Sequence, residues 1–154
     1  MDLFDVFKEL NISYEILEHE AVYTVDEAMM IDNMLNGLGC KNLFLTDRKG
    51  KYFLVVLPDE KRADIKMIGK VVGCNHLSFG NEDDLMKLLG LIRGSCTPLG
   101  IINDVDNKVV LVFDKELEGK RVLCHPNRNT ATISLEFSDL IKYIEYFKHK
   151  YLFM

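Results

Sequence analysis

The chain has 154 residues, 48% of them hydrophobic and 28% charged, and its net charge is −5 at pH 7. This length suits one domain with a sizeable core, because two domains would each bury too little apolar surface. We therefore predict a single domain over residues 1–154. The acidic balance excludes broad, non-specific nucleic-acid binding, which requires clustered lysine and arginine to neutralise phosphates.

The cysteines and histidines give no sign of a metal site. None of the four cysteines belongs to a C-x-x-C pair, and the histidines lack paired ligand spacing. We therefore expect no metal and no other cofactor. The first residues, Met1–Asp5, lack the basic and apolar regions of a signal peptide, and no apolar run is long enough to cross a bilayer. We expect a soluble cytoplasmic protein with reduced thiols.

The N-terminal part of the chain is predicted to alternate helices with a strand. Apolar residues at helical spacing predict a first helix over Asp2–Leu10, and a short strand follows over Tyr14–Glu18. Thr24 and Glu27 have the spacing of a capping box, so a second helix is predicted to begin there. We expect this helix to continue until Gly37–Gly39 stops it.

Two apolar runs in the centre predict a β-hairpin, since Asn42–Thr46 and Lys51–Leu57 flank the turn Asp47–Gly50. Their continuous apolar character indicates burial on both faces. Further helices are predicted after Asp64, after Asn81 and from Ser138, and further strands over 77–79, 108–113, 121–124 and 130–135. This mixture predicts an α/β (α+β) fold, with one mixed, mostly antiparallel sheet surrounded by helices.

Lys41 and Asn42 are polar residues at the start of a strand that is otherwise fully apolar. A lysine that precedes a strand is commonly a solvated flank. Because glycines come before it and an apolar strand after it, we expect the Lys41 ammonium at the rim of a pocket. Such a compact charge suits a phosphate, or a carbonyl oxygen that gains negative charge. The Asn42 amide can both donate and accept.

The segment Gly94–Gly100 is bracketed by glycine and contains a proline. Glycine allows the backbone to approach a ligand closely, and Pro98 fixes the turn, although an ordinary tight turn explains the same pattern. Ser95 and Thr97 offer hydroxyl groups. Neither stands in a G-x-S-x-G elbow, and no Asp–His pair accompanies them, so a serine hydrolase is not favoured.

The segment His125–Thr132 leads from one predicted strand into the next. A single histidine after an apolar run is commonly a packed, hydrogen-bonded residue rather than a catalyst. Here it opens the polar string H-P-x-x-N-T, which provides several hydrogen-bonding groups in a short loop.

Together, and in this order, the three segments resemble the YbaK and prolyl-tRNA-synthetase-associated family of aminoacyl-tRNA editing domains, and most of all its freestanding alanyl-tRNA(Pro) deacylases. The resemblance implies that Lys41 is the central active-site residue. Asn42 and the Leu-Phe-Leu that follows it match the subgroup directed at alanine, whereas the cysteine-specific subgroup usually has threonine after the lysine. Gly94 and Pro98 match the family's G-x-x-x-P loop, which presents backbone N–H groups to the substrate carbonyl.

The resemblance also implies the remaining site residues. His125 and Asn129 would orient the substrate or the lysine, and His19–Thr24 looks like the family's N-terminal H-x-x-x-x-T element. The predicted catalytic residues are Lys41, Asn42, Gly94 and His125. The predicted substrate-binding residues are Thr24, Ser95, Thr97, Pro98 and Asn129. Weak contacts to the tRNA acceptor end are predicted at Lys61, Arg62, Arg93 and Arg128.

The function implied is trans-editing, in which the ester of a small amino acid mischarged onto tRNA(Pro), most of all alanine, is hydrolysed. The vicinal ribose hydroxyl of the substrate, helped by water, is the implied base. The expected partners are the acceptor end of tRNA(Pro) and prolyl-tRNA synthetase, with no membrane and no metal, for a monomer or weak dimer. Two alternatives stay open: a deacylase for cysteine or another small amino acid, and a non-catalytic module that binds tRNA or a synthetase.

Overall fold

The computed structural model describes residues 1–21 and 24–154, and this part of the chain contains five α-helices and eight β-strands. The helices are α1 Leu3–Glu9, α2 Val25–Asp32, α3 Ile65–Val72, α4 Glu82–Leu89 and α5 Phe137–Tyr146. The strands are β1 Tyr14–Glu18, β2 Cys40–Thr46, β3 Tyr52–Pro58, β4 Ser78–Phe79, β5 Val109–Phe113, β6 Arg121–Cys124, β7 Ala131–Glu136 and β8 Tyr151–Phe153. Short 3-10 helices cover Pro98–Asn103 and Lys115–Leu117. Among the described helices, none has the length and apolar character needed to traverse a bilayer.

The strands form two sheets, so the prediction of a single sheet was wrong. The larger sheet has the order β4-β2-β3-β5-β8, and its β3–β5 and β5–β8 pairs are parallel. The smaller sheet, β1-β7-β6, is antiparallel throughout. Most strand pairs are antiparallel, and the mixed α/β class was predicted correctly. Pairing between distant strands depends on contacts across the whole chain, which local patterns do not encode.

The two sheets meet beside the start of β2. Leu38 forms an isolated parallel bridge with Val122 of β6. Its N–H donates to the Arg121 carbonyl at 2.8 Å, and its carbonyl accepts from the Leu123 N–H at 3.0 Å. We call this contact the seam. It holds the first residues of β2 next to β6, although more than seventy residues separate the two strands in the sequence.

Most local elements follow the sequence closely. Thr24, Asp64 and Asn81 each accept a backbone N–H from the third residue after them and cap α2, α3 and α4 as expected. The predicted end of the second helix was wrong, because α2 ends at Asp32 and turns follow.

The hydrophobic core lies on both faces of the central strand β3, as its continuous apolar run indicated. Leu54 and Val56 belong to the larger cluster, which takes residues from both sheets and from α1, α4 and α5. Phe53, Val55 and Leu57 point to the opposite face and pack in a smaller cluster with Ile68 of α3 and its neighbours. Strand β8 was not predicted, since its three residues are too few to show a period.

Candidate active site

A cavity of about 230 Å³ lies beside the seam, where β2, β6 and the loop that precedes the first 3-10 helix come together. Its lining consists of Ala28, Ile31, Asp32, Cys40, Lys41, Asn42, Asp59, Gly94, Cys96, Leu123, Cys124, His125 and Thr132. All four residues predicted as catalytic are among them. The structure therefore brings the three polar segments of the sequence to one place.

Lys41 and Asn42 lie near the start of β2, where they pair with Leu57 and Val56 of the antiparallel strand β3. Among residues 1–21 and 24–154, no acidic oxygen lies within 4.0 Å of the Lys41 ammonium, so its charge has no ion-pair partner there. The Oδ1 atom of Asn42 is buried and also has no hydrogen-bond partner in the described part of the chain. A buried acceptor left in this state costs about 1–3 kcal/mol.

Gly94 also lines the cavity, and its φ of +92° lies in the region that favours glycine. The turn around it is closed by Ser95, whose N–H donates to the Ile92 carbonyl at 3.1 Å. The Ser95 hydroxyl donates to the same carbonyl at 2.9 Å and accepts from the Ile92 N–H at 3.2 Å. The Ser95 amide is therefore occupied, and Gly94 is the residue of this turn that faces the cavity.

The residues predicted to bind substrate do not line the cavity. Ser95, Thr97 and Pro98 are buried, and the Thr97 side chain caps the 3-10 helix that Pro98 begins. Thr24 is exposed at the start of α2, and its hydroxyl donates to the Glu27 carboxylate at 2.8 Å. Asn129 is buried outside the lining. These residues therefore shape the loops and the helix around the cavity. Their positions outside its lining do not support direct contact with a ligand.

His125 contributes a neutral imidazole. Its Nδ1 atom lies 2.9 Å from the Ala131 carbonyl, and because a carbonyl oxygen can only accept, Nδ1 carries the proton. Burial is the main reason that the pKa of His125 lies below its usual value. The Nε2 atom then offers a lone pair at neutral pH.

A second histidine supports the same wall. His19 donates from Nδ1 to the Glu20 carbonyl at 2.7 Å, so its Nε2 accepts from the Thr132 hydroxyl at 2.9 Å. Thr132 lines the cavity, and the His19 ring centroid lies 6.3 Å from that of His125. The sequence placed His19 in a family-like element without giving it a role. Its contact with Thr132 joins that element to β7.

Three of the four cysteines line the cavity, and all four are free thiols. Burial raises the pKa of Cys40 and of Cys96 to about 12, and it raises the pKa of Cys124 as well. These thiols stay protonated at neutral pH and behave as small apolar groups rather than nucleophiles. In the described part of the chain, no three His, Cys, Asp or Glu side chains are arranged to hold a metal ion.

An aspartate pair at the cavity wall was missed by the sequence analysis. Asp32 is the last residue of α2 and Asp59 follows β3, and their side chains share a hydrogen bond. A methyl group at Gly39 would lie less than 3.0 Å from a carboxylate oxygen of each. Burial, followed by the hydrogen bond and the repulsion from Asp59, raises the pKa of Asp32 to about 7. Aspartate is common at helix and strand ends, so neither residue gave a signal.

The four cations predicted to contact tRNA do not form one patch. Lys61 and Arg62 line a different cavity from Arg93. Three of the four are engaged with acidic groups: Lys61 with Asp114 at 2.8 Å, Arg93 with Glu82 at 3.5 Å and Arg128 with Glu18 at 2.7 Å. Two of them adjoin the site: Arg93 lines a cavity of about 190 Å³ that shares Asn42, Gly94 and Cys96 with it, and Lys61 lines another that shares Asp32 and Asp59.

Comparisons with known proteins point to one family. A model of the family described as aminoacyl-tRNA editing domain matches residues 19–143. The prolyl-tRNA editing protein ProX of Acetoanaerobium sticklandii is 42% identical over 139 residues, which cover 89% of this chain and 85% of that protein. The prolyl-tRNA synthetase associated domain-containing protein 1 of Danio rerio is 32% identical over 151 residues, covering 96% and 82%. A crystal structure described as a hypothetical protein superposes with a TM-score of 0.77, at 20% identity, over 97% of this chain and 96% of that chain. This last likeness concerns the fold alone.

Proposed function

The chain belongs to the aminoacyl-tRNA editing domain family, and we propose that it is a trans-editing deacylase. Its substrate would be tRNA(Pro) that carries the wrong small amino acid, alanine in particular, and its reaction would be hydrolysis of the ester at the 3′ end. The observation that carries the proposal is the single cavity around Lys41, Gly94 and His125. The relative named as a prolyl-tRNA editing protein supports the choice of tRNA.

The reaction requires little covalent chemistry from the protein. An aminoacyl ester is already reactive, so the enzyme mainly has to position it and stabilise the negative charge that develops on the carbonyl oxygen. The Ser95 amide is occupied by Ile92, and we therefore assign the Gly94 N–H as the donor to that oxygen. Lys41, which has no ion-pair partner among the described residues, would bind the terminal phosphate or the charge-bearing part of the acyl group.

His125 supplies a hydrogen-bond acceptor. With Nδ1 fixed on the Ala131 carbonyl, its Nε2 would accept a hydrogen bond from the attacking water or from the vicinal ribose hydroxyl. That hydroxyl belongs to the substrate and would act as the general base. Because the imidazole is neutral, it would not compete with Lys41 for the developing charge.

Selection of the amino acid would rest on size. The cavity of about 230 Å³ has thiols, Ile31 and Leu123 in its lining, so the acyl side chain would meet apolar groups. Such a pocket rejects bulk more strongly than it rejects a group that is too small. Alanine and cysteine both fit this description, and Asn42 after the lysine is the feature that favours alanine.

The test is single-turnover hydrolysis of alanyl-, cysteinyl- and prolyl-tRNA(Pro) by the purified protein. We expect the alanyl ester to be cleaved fastest, and Lys41→Ala to slow cleavage by at least about 100-fold, as for the loss of a charge-stabilising donor. Lys51→Ala, at the far end of the same hairpin, is the matched control and should keep the parent rate. Parent-like hydrolysis by Lys41→Ala would refute the site, and tight tRNA binding without turnover would refute the enzyme.

A further inference from the structure

The lining of the cavity carries charges of both signs. Lys41 carries a positive charge that has no ion-pair partner among residues 1–21 and 24–154, and Asp32 and Asp59 belong to the same lining. In the part of the chain that the structure describes, no lysine, arginine or histidine nitrogen lies within 4.0 Å of either aspartate. Two carboxyl groups with no cation beside them in the described ranges thus border a space large enough for a ligand.

The aspartates are brought together by two separate elements. Asp32 arrives at the end of α2, and Asp59 is held by its N–H, which donates to the Gly39 carbonyl at 3.0 Å. Because Gly39 has no side chain, both carboxyl groups can lie over it. Like charges placed this close repel, so the arrangement opposes folding unless a shared proton or a bound cation compensates it.

A further unsatisfied group points to a ligand with hydrogen-bond donors. The Oδ1 atom of Asn42, on the same lining, is buried and accepts no hydrogen bond from the described residues. An aminoacyl ester carries an α-ammonium group with three N–H donors next to the acyl carbon, and a phosphate farther along the RNA. The ester therefore carries charges of both signs, as the cavity lining does.

We propose that Asp32 and Asp59 bind the α-ammonium group of the aminoacyl ester. This inference rests on the proposed function and deepens it, since it defines the substrate class as esters with a free α-amino group. Esters whose amine is acylated, such as peptidyl-tRNA, or replaced by a hydroxyl group, would leave the carboxylates without a counter-charge and would bind poorly.

The test compares alanyl-tRNA(Pro) with lactyl-tRNA(Pro), which nitrous acid produces from it by replacing the amine with a hydroxyl group of nearly the same size. For the wild type we expect kcat/KM to be at least about 30-fold higher on the alanyl ester, the range of one charge-assisted hydrogen bond. Asp32→Asn and Asp59→Asn should lose at least about tenfold on the alanyl ester and stay within about threefold of the wild type on the lactyl ester. Glu60→Gln, an adjacent acid outside the cavity, should change neither.

The outcomes separate this inference from the function on which it rests. Equal losses on both esters would overturn it, because a general base or a purely structural pair would serve both esters alike. Equal hydrolysis of both esters by the wild type would overturn it too. If the wild type hydrolyses neither ester, the proposed function fails, and binding decides the inference. Non-hydrolysable 3′-amide analogues with alanyl and lactyl groups should then differ in Kd for the wild type and not for Asp59→Asn, and the absence of that difference would overturn the inference.

Discussion

Asp32→Asn is expected to stabilise the folded protein more at pH 8 than at pH 5. The pKa of Asp32 rises from 3.8 to about 7 on folding. Since the folded pKa is the higher one, the stability linked to this group is complete below about pH 4 and is lost as the pH rises to 7. Each pKa unit is worth about 1.4 kcal/mol, which gives about 4 kcal/mol at face value.

Solvent reduces this penalty. Asp32 is only half-buried and Asp59 is exposed, so water screens their repulsion and we expect about 1–2 kcal/mol. Asparagine keeps the shape of the side chain and can donate to Asp59, which removes the repulsion while keeping a hydrogen bond. The difference in free energy of unfolding between Asp32→Asn and the wild type should therefore be about 1 kcal/mol larger at pH 8 than at pH 5.

Urea unfolding of both proteins at pH 5, 6, 7 and 8 measures this difference. Glu60→Gln serves as the control, because its effect on the free energy of unfolding should not change over this pH range. A stability difference for Asp32→Asn that stays constant, or that becomes smaller as the pH rises, would refute the reasoning. It would mean that the two carboxyl groups do not share a proton in the folded protein.

Two further substitutions test the loop and the core. Gly94→Ala should lose about 1–2 kcal/mol of stability, because its φ of +92° disfavours a side chain, and its deacylation rate should fall at least about tenfold. Gly50→Ala, at a φ of +97° in the distant hairpin turn, should lose similar stability with unchanged activity. Equal deacylation rates of the two variants would argue against a role for the Gly94 loop. Asp104→Asn removes the carboxylate that contacts buried His149 at 3.0 Å and should lower the free energy of unfolding by about 3 kcal/mol, whereas a loss below about 1 kcal/mol in urea would show that this contact contributes little to stability.

Much of the local structure could be predicted because its causes are local. The caps at Thr24, Asp64 and Asn81 lie at the helix starts that the sequence indicated, and the central hairpin pairs as expected. The division into two sheets could not be predicted, since it follows from which distant strands pair with each other. The seam between Leu38 and β6 is a long-range contact of the same kind.

The candidate site shows a similar division. Lys41, Gly94 and His125 were visible because polar or flexible residues adjoin apolar strands, where a core does not require them. Asp32 and Asp59 were not visible, because an aspartate after a helix or strand is ordinary. Only the folded chain shows that both carboxyl groups reach the same glycine. Ser95 shows the opposite error, because the sequence suggested that its hydroxyl binds substrate. In the structure this hydroxyl donates to the Ile92 carbonyl within the turn.

The seam allows the width of the candidate active site to change without any change in its polar groups. Lys41 belongs to one sheet and His125 follows a strand of the other, so the spacing between the sheets sets how wide the pocket is. A methyl group added to Gly37 would come within 2.7 Å of Leu123, whose side chain lines that pocket. A substitution at Gly37 is therefore expected to change the width of the pocket while every polar group of its lining stays unchanged.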